Sequence, residues 1–252
     1  MCIRDSIKEN TKLLVVTHAS NVTGTVNDLA PLGRLAKERR IYFMVDAAQT
    51  AGNRPVDAGL MNIDLLAFTG HKGLLGPQGT GGLYVRDGLR LETLKEGGTG
   101  SVSESPRQPD FLPDRYESGT LNTPGIAGLN EGIKFILETG VENIQAYENR
   151  LTRYMLEGLG EIKKVKVHGS GDTEHRIGVI SITVDGKDCH EVCRELDEKY
   201  GIAARSGLHC AYLAHETIGT QNTGTVRFGI SFFNTVDDID KTLKAIKTIA
   251  AR

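Results

Sequence analysis

The stretch Asp64-Leu65-Leu66-Ala67-Phe68-Thr69-Gly70-His71-Lys72 decides the fold, because it joins an apolar run of strand length to a turn that carries a lone lysine. A second apolar run, Tyr42-Phe43-Met44-Val45-Asp46, stops at an acid. Short apolar runs of this kind are typical of buried strands. Because α/β folds bind their ligands at the carboxyl edge of a parallel sheet, we expect Asp46 and Lys72 to converge there.

A carboxylate and an amine at one sheet edge are the pair that pyridoxal 5'-phosphate requires. A lysine forms the Schiff base with this cofactor, and an acid beside the pyridine nitrogen keeps the ring cationic, so that it can absorb electrons. The plainer alternatives are that Lys72 is a solvated surface residue and that Asp46 is the N-cap of a following helix. The pair predicts a pyridoxal phosphate site.

Alternating strand and helix patterns surround these two runs. Leu13-Leu14-Val15-Val16-Thr17 predicts a buried strand, residues 28–40 predict a helix, and further strands are expected at 41–45, 64–68 and 82–85. This alternation indicates βαβ units and a mainly parallel sheet.

The second half of the chain predicts a smaller α+β domain. Residues 97–119 contain prolines, serines and charges without a period, which indicates a long surface loop or an arm toward another subunit. We expect a large-domain portion at 1–133 and a small C-terminal domain at 134–252. The further elements are expected at 125–138, 140–159, 188–199 and 236–250 for helices, and at 164–168, 177–184, 202–204 and 225–229 for strands.

Composition and charge exclude several classes of function. The 252 residues carry a formal net charge of -2, and the pI is near 6.4. A chain with this charge has no positive electrostatic field to attract nucleic acid or an anionic membrane, and neither is expected as a partner. No run approaches the ~20 apolar residues of a membrane helix. The N-terminus has no signal-peptide pattern, and we expect a cytoplasmic protein.

The four cysteines lack close paired spacings, which favours reduced thiols over a disulfide framework. Cys189 and Cys193 share one face of a predicted helix, which favours packing in the helix core over a metal site with His190. We predict no metal and assign no role to Cys2. Strand-end or surface positions are expected for His18, His168, His175 and His215.

Five motifs occur in a fixed order along residues 20–210. Together they resemble the class V aminotransferase-fold enzymes, and within these the cysteine desulfurases of the type that also includes selenocysteine lyases. The resemblance implies the α/β fold of PLP-dependent transferases of type I, with a partial large domain, a mainly parallel sheet and a smaller α+β C-terminal domain. The motifs are Ser20-Asn21-Val22-Thr23-Gly24-Thr25, Val45-Asp46-Ala47-Ala48-Gln49, Thr69-Gly70-His71-Lys72, Glu117-Ser118-Gly119-Thr120-Leu121-Asn122-Thr123 and Arg205-Ser206-Gly207-Leu208-His209-Cys210.

The resemblance implies roles for residues around the cofactor ring. Lys72 would form the covalent link, and Asp46 would pair with the pyridinium nitrogen. Gln49 and Asn21 would lie near the phenolic oxygen of the ring.

The resemblance also implies the residues that hold the cofactor phosphate. Thr69 and His71 match phosphate-holding positions, although a serine is common in the family where Thr69 stands. Thr120 matches a phosphate contact that the neighbouring subunit supplies. The implied assembly is a homodimer with a shared active site.

Substrate binding and sulfur transfer are implied for three further residues. Arg227 matches the arginine that clamps the substrate carboxylate, with Arg205 as a second guanidinium, and a planar fork suits a carboxylate because it donates two parallel hydrogen bonds. Cys210 matches the nucleophile, and Arg205 would favour its thiolate if the two are close in the fold. The plainer alternative for Cys210 is a small buried hydrophobe. His209 is either a loop-packing residue or a proton carrier beside Cys210.

The implied activity converts L-cysteine to L-alanine and leaves a persulfide on Cys210, which a sulfur-acceptor protein would receive, as in iron–sulfur cluster assembly. Three alternatives stay open: a selenocysteine lyase, a class V aminotransferase in which Cys210 is dispensable, and a non-catalytic partner subunit. Family members normally begin upstream with a phosphate-binding turn and a histidine that stacks on the ring. We therefore expect this chain to be a fragment of the parent enzyme, with residues 1–6 extraneous.

Overall fold

The computed structural model describes residues 3–252 and contains two four-stranded sheets. Cys2 lies outside the described residues. The strands are β1 Leu13–Thr17, β2 Tyr42–Asp46, β3 Leu65–Thr69, β4 Gly81–Val85, β5 Val165–His168, β6 Val179–Val184, β7 Arg205–Gly207 and β8 Thr225–Gly229. The α-helices are α1 Ile3–Ser6, α2 Leu29–Arg39, α3 Thr123–Thr139, α4 Val141–Gly160, α5 Cys189–Tyr200, α6 Tyr212–Ile218 and α7 Val236–Ala251.

The first sheet has the order β1-β2-β3-β4 and confirms the mainly parallel prediction. Strands β1, β2 and β3 run parallel, and β4 returns antiparallel to β3. Helix α2 crosses from β1 to β2 and begins where the Asp28 carboxylate accepts a hydrogen bond from Ala30 N. The carboxyl ends of β2 and β3 therefore lie side by side, with Asp46 paired to Ala67 in the ladder.

The second sheet has the order β5-β6-β8-β7, and all its neighbouring strands are antiparallel. The strand predicted at 202–204 is wrong in position, because it lies at Arg205–Gly207. The reason is that the end of α5 uses the preceding residues: Gly201 adopts the left-handed cap conformation, and Ile202 N donates to Leu196 O at 3.0 Å. The sequence did not predict α6.

Helices α4, α5 and α7 cover the second sheet and form the larger core with it. Leu151 and Leu196 are fully buried there, against Ile180 and Ile182 of β6. Cys189 and Cys193 are buried in the same core, which confirms the packing prediction. Burial raises the pKa of Cys193 to about 11, and both cysteines are free thiols.

A long segment without strands connects β4 to α3. It contains a short 3-10 helix, Asp114–Tyr116, and Arg115 anchors it by donating to Leu91 O at 3.0 Å and to Asp110 Oδ1 at 2.7 Å. The surface-loop prediction is confirmed, and the arm toward another subunit stays a prediction.

The predicted division at 133/134 falls inside α3, between two separate cores. The first core lies under the parallel sheet around Phe43 and Ile63, and the second lies under α4, α5 and α7. The division itself stays a prediction. Within residues 3–252, none of the helices is long and apolar enough to cross a membrane.

Candidate active site

The carboxyl edge of the first sheet carries Asp46 and Thr69, which end the neighbouring strands β2 and β3. Asp46 is exposed, and its carboxylate accepts a hydrogen bond from Ala48 N at 2.9 Å. A turn follows it rather than a helix, so the alternative of a helix N-cap is wrong. The acid closes the turn that leads to Gln49 and leaves the rest of its carboxylate open to the sheet edge.

The lysine lies in a tight turn directly after β3. Gly70 N donates to Thr80 O and Gly76 N donates to Gly70 O, both at 2.8 Å, which closes the turn around Lys72. A Cβ on Gly70 would collide with the Thr80 side chain, so only glycine fits there.

The two predicted phosphate residues of this turn are already paired with each other. Thr69 Oγ1 and His71 Nδ1 lie 2.8 Å apart, and His71 and the neighbouring Lys72 are both exposed. A hydroxyl and an imidazole presented together can bind an anion in concert. The structure thus brings Thr69 and His71 together, and their contact with a phosphate stays a prediction.

A cavity of about 320 Å³ lies between the two halves of the chain, and Gln49, Lys72 and Arg227 all line it. Three residues far apart in sequence therefore share one space, which Phe135, Phe232 and Phe233 also line. Asp46 does not line this cavity and lies on the open sheet edge instead. A single site that contains both Asp46 and Lys72 stays a prediction.

The second sheet presents the predicted nucleophile. Arg205 and Arg227 face each other across the β7–β8 ladder, and Arg205 Nη2 lies 3.3 Å from Cys210 Sγ. Cys210 is exposed, so the alternative of a buried hydrophobe is wrong. Burial first, and then the neighbouring Arg205, lower the pKa of Arg227, while the Cys210 thiol acts in the opposite direction. The expected closeness of Arg205 and Cys210 is confirmed.

Asn21 connects the two halves at the site. Its amide donates to His209 O at 2.8 Å, and its own carbonyl accepts from Arg227 Nη1 at 2.9 Å. Next to it, Ser181 Oγ donates to Val22 O at 2.6 Å. Asn21 thus holds the segment that carries Cys210 and the predicted carboxylate clamp together.

Sequence reasoning missed Glu148, a buried acid in the wall of the same cavity. Its Oε1 accepts from Phe232 N at 3.1 Å. Burial raises the pKa of Glu148 to about 7, against the opposing effects of this hydrogen bond and of Arg54. The signal was available, because Glu148 lies on the apolar face of α4 between Ile144 and Leu151.

Some sequence predictions are corrected or stay open. His215 is fully buried within α6, so its predicted strand-end or surface position is wrong. His18 and His168 do lie at strand ends. Thr120 is exposed, and its contact with another subunit stays a prediction. In the described part of the chain, no three His, Cys, Asp or Glu side chains group into a candidate metal site.

The chain is similar to known cysteine desulfurases in sequence. It is 37% identical over 253 residues to a probable cysteine desulfurase of Methanothermobacter thermautotrophicus, a match that covers 98% of this chain and 63% of that protein. It is 36% identical to a cysteine desulfurase of Escherichia coli, over 96% of this chain and 59% of that protein. The chain thus spans about 60% of the length of these curated relatives.

Solved structures and a family model agree with these relatives. The apo cysteine desulfurase of Thermococcus onnurineus superposes with a TM-score of 0.85 at 32% identity, over 96% of this chain and 61% of that one. The cysteine desulfurase CsdA of Escherichia coli superposes with a TM-score of 0.85 at 27% identity, over 97% of this chain and 60% of that one. The model of the family "Aminotransferase class-V" matches residues 2–242, and the chain belongs to this family.

Proposed function

We propose that the protein is a pyridoxal phosphate-dependent cysteine desulfurase that converts L-cysteine to L-alanine and takes the sulfur onto Cys210. The observation that carries this proposal is the contact of 3.3 Å between Arg205 and Cys210, on a segment tied to Asn21 and next to Arg227. An exposed thiol beside a guanidinium is the environment of a reactive cysteine. The similarity to named cysteine desulfurases supports the same activity.

The residues at the sheet edge fit pyridoxal 5'-phosphate. Lys72 supplies an amine at a cavity, and Thr69 with His71 supplies a paired hydroxyl and imidazole for a phosphate. Asp46 supplies a carboxylate that forms no ion pair with any residue of the range 3–252. We infer that Lys72, Asp46, Gln49, Thr69 and His71 hold the cofactor, which would supply an electron sink for the substrate Cα.

Each protein residue then has a distinct task in the reaction. Arg227 binds the substrate carboxylate through two parallel hydrogen bonds, and Arg205 adds positive charge beside it. Lys72 removes the proton from the substrate Cα. The Cys210 thiolate attacks the substrate sulfur, so that one carbon–sulfur bond breaks, one sulfur–sulfur bond forms on Cys210, and the carbon product leaves as alanine after protonation.

We further propose a homodimer in which Thr120 of one subunit reaches the cofactor phosphate held by the other. Its support is the exposure of Thr120 in the segment that precedes α3. The exposed Cys210 would allow a sulfur-acceptor protein to receive the persulfide. We place the protein in the cytoplasm, because the three cysteines within residues 3–252 are free thiols and reduced thiols are typical of that compartment.

The test measures alanine and sulfide released from L-cysteine by the full-length protein and by Cys210→Ser, each with a thiol reductant present. We expect both products from the wild type and neither from the variant, while the visible absorbance of the cofactor is unchanged. Cys189→Ser is the matched control, because Cys189 is buried, and it should keep its turnover.

Two results would contradict the proposal. Full desulfurase turnover in Cys210→Ser would exclude the persulfide, and alanine formation that depends on a keto acid without sulfur release would indicate an aminotransferase. Preferential release of selenium from selenocysteine would identify the lyase variant of the same chemistry.

A further inference from the structure

A buried histidine holds the turn that carries two of the proposed cofactor residues. His18 directly follows β1 and is 5% exposed. Its backbone N donates to Asp46 O at 2.8 Å, at the point where β2 ends and the turn begins. Its ring Nδ1 lies 2.8 Å from the hydroxyl oxygen of Thr50, which is fully buried. One residue therefore contacts both ends of the turn 46–50.

The hydrogen bond between His18 and Thr50 has a direction. The Thr50 hydroxyl has one proton, which can go to His18 Nδ1 at 2.8 Å or to Ala47 O at 3.4 Å. Ala47 O already accepts from Thr50 N and from Ala51 N, both at 2.9 Å, and a carbonyl oxygen has only two lone pairs. The hydroxyl therefore donates to His18 Nδ1, and the ring is the acceptor.

The surroundings of His18 keep its ring in the form that can accept this hydrogen bond. Both nitrogens of a charged imidazole are donors, so only the neutral ring has an acceptor nitrogen. Burial first, and then Arg54, lower the pKa of His18 to about 4. The ring is therefore neutral near neutral pH, in agreement with the direction that the distances to Thr50 give.

The turn that His18 holds presents its polar groups to the proposed cofactor site. Asp46 begins the turn and is exposed at the sheet edge. Gln49 lines the cavity that Lys72 also lines. Thr50 follows Gln49 directly, and its buried hydroxyl is bonded to His18. The contact with His18 thus lies at the inner end of a turn whose outer groups are the proposed cofactor residues.

The chain after this turn touches the segment that follows the lysine. A Cβ on Gly52 would lie 2.3 Å from Gly73 O, and a Cβ on Gly73 would lie 2.5 Å from Ala51 O. The two backbones are therefore in direct contact, and a side chain fits at neither glycine. A shift of the chain at Thr50 would press on the residue next to Lys72.

We propose that His18 is a positioning residue for the cofactor, because through Thr50 it fixes the turn that presents Asp46 to the pyridine nitrogen. His18 is buried and acts through the turn, without a contact to the ring. The inference rests on the proposed cofactor role of Asp46. It adds the pair of His18 and Thr50 to the residues that the cofactor needs.

The test compares two ligands that differ at one ring atom. Pyridoxal phosphate has the pyridine nitrogen with which Asp46 would pair, whereas deazapyridoxal phosphate has a carbon in its place. Equilibrium dialysis of the full-length protein, freed of cofactor, gives a dissociation constant for each ligand. The ratio of the two constants measures the contact of Asp46 with the nitrogen and needs neither substrate nor turnover.

The main variants change only the threonine. Thr50→Val keeps the shape of the side chain and removes the hydroxyl, while Thr50→Ser keeps the hydroxyl. Thr152→Val is the matched control, because Thr152 is also buried but lies on α4, which covers the other sheet. Melting temperatures check that each variant is folded.

We expect the wild type to prefer pyridoxal phosphate about ten- to a hundredfold, as one charge-assisted hydrogen bond allows. Thr50→Val should lower this preference about tenfold, because a carboxylate on a loosened turn loses most of that contact. Thr50→Ser and Thr152→Val should keep the preference within about twofold of the wild type, since neither removes the hydroxyl that His18 binds.

His18→Leu removes the other partner of the contact and decides the matter if Thr50→Val does not fold. It should lower the preference by a similar factor. The double variant with Thr50→Val should lose no more than either single variant, because both changes remove the same contact. Losses that multiply in the double variant would overturn the inference.

Two further results separate this inference from the proposed function. If Thr50→Val weakened the binding of both ligands equally, so that the ratio stayed at the wild-type value, the contact with His18 would be purely structural and the inference would be overturned. If the wild type itself bound both ligands equally, Asp46 would not pair with the ring nitrogen. The proposed cofactor role of Asp46 would then be wrong, and the inference with it.

Discussion

The two sheets of this chain differ in how completely they are covered. In β6, Ile180, Ser181 and Ile182 are all fully buried, because helices cover one face and the segment around Val22 covers the other. In β1, Val16 is buried, but its neighbour Val15 is 56% exposed. Parallel sheets in α/β proteins are normally covered on both faces. In this structure the first sheet therefore has one face that is partly open, whereas both faces of the second sheet are covered.

This difference divides the proposed chemistry between the sheets. The open sheet carries the cofactor residues at its strand ends, and the covered sheet carries the two arginines and the nucleophile. The two sets meet at Asn21 and at the cavity that Lys72 and Arg227 share. Changes on one sheet should therefore alter one part of the chemistry and spare the other.

The largest expected effect is that of Lys72→Ala on the open sheet. We expect desulfurase turnover to fall by about 10³-fold or more, because the residue serves both as the attachment point and as the base. The rate of Cys210 alkylation should stay at the wild-type value, because Lys72 is on the other sheet. If Lys72→Ala lowered the rate of Cys210 alkylation as much as it lowers turnover, the two sheets would not have separate tasks.

The next effect concerns stability and contrasts the two cores. Leu151→Ala in the covered core should lower the free energy of unfolding by about 2–5 kcal/mol, because Leu151 is fully buried. Val15→Ala on the open face should change it by only about 0.5 kcal/mol. Urea denaturation of the two variants measures both values. If both variants lost a similar free energy of unfolding, the sheet face around Val15 would be covered in the folded protein.

Arg227→Lys should weaken substrate binding while turnover is largely retained. A lysine cannot donate two parallel hydrogen bonds to a carboxylate, and the loss of one charge-assisted bond, about 1.5–3 kcal/mol, corresponds to a KM for cysteine raised about ten- to a hundredfold. Arg194→Lys, on the exposed face of α5, is the matched control and should leave KM unchanged. An unchanged KM in Arg227→Lys would place the clamp elsewhere.

The smallest effect is that of Glu148→Gln, in the cavity between the sheets. Burial raises the pKa of Glu148 to about 7 from an ordinary 4.5, so the native fold holds a proton that the unfolded chain releases. The stabilisation that the protonated Glu148 contributes is fully present below the pKa that its carboxyl has in the unfolded chain. It is lost as the pH rises through the pKa of the same carboxyl in the folded protein. The glutamine should therefore be more stable than the wild type by roughly 1–2 kcal/mol at mildly alkaline pH, and equally stable in acid.

Thermal unfolding of both proteins at the two pH values measures this difference. His18, whose pKa burial lowers to about 4, changes stability in the opposite direction, but it is present in both proteins and cancels. If the difference in stability between wild type and Glu148→Gln is the same in acid and in alkali, the Glu148 carboxyl does not titrate between those two pH values.

The three parallel strands β1, β2 and β3 were predictable because each is a short apolar run with a polar end, as in the run that stops at Asp46. The contact of Arg205 with Cys210 was expected only on condition that the two are close in the fold, since it depends on the β7–β8 register. That register was not predictable, because the end of α5 uses residues 201–202 and β7 lies at Arg205–Gly207 instead of 202–204. The burial of His215 was missed because a helix of seven residues leaves little periodic signal.

The role of Lys72 as the attachment point is tested most directly by locating the cofactor on the chain. The full-length protein, loaded with pyridoxal phosphate, would be reduced with borohydride, digested and mapped by mass spectrometry. We expect a pyridoxyl group on the peptide that contains Lys72, and its loss in Lys72→Ala. A pyridoxyl group on a different lysine, or on none, would contradict it.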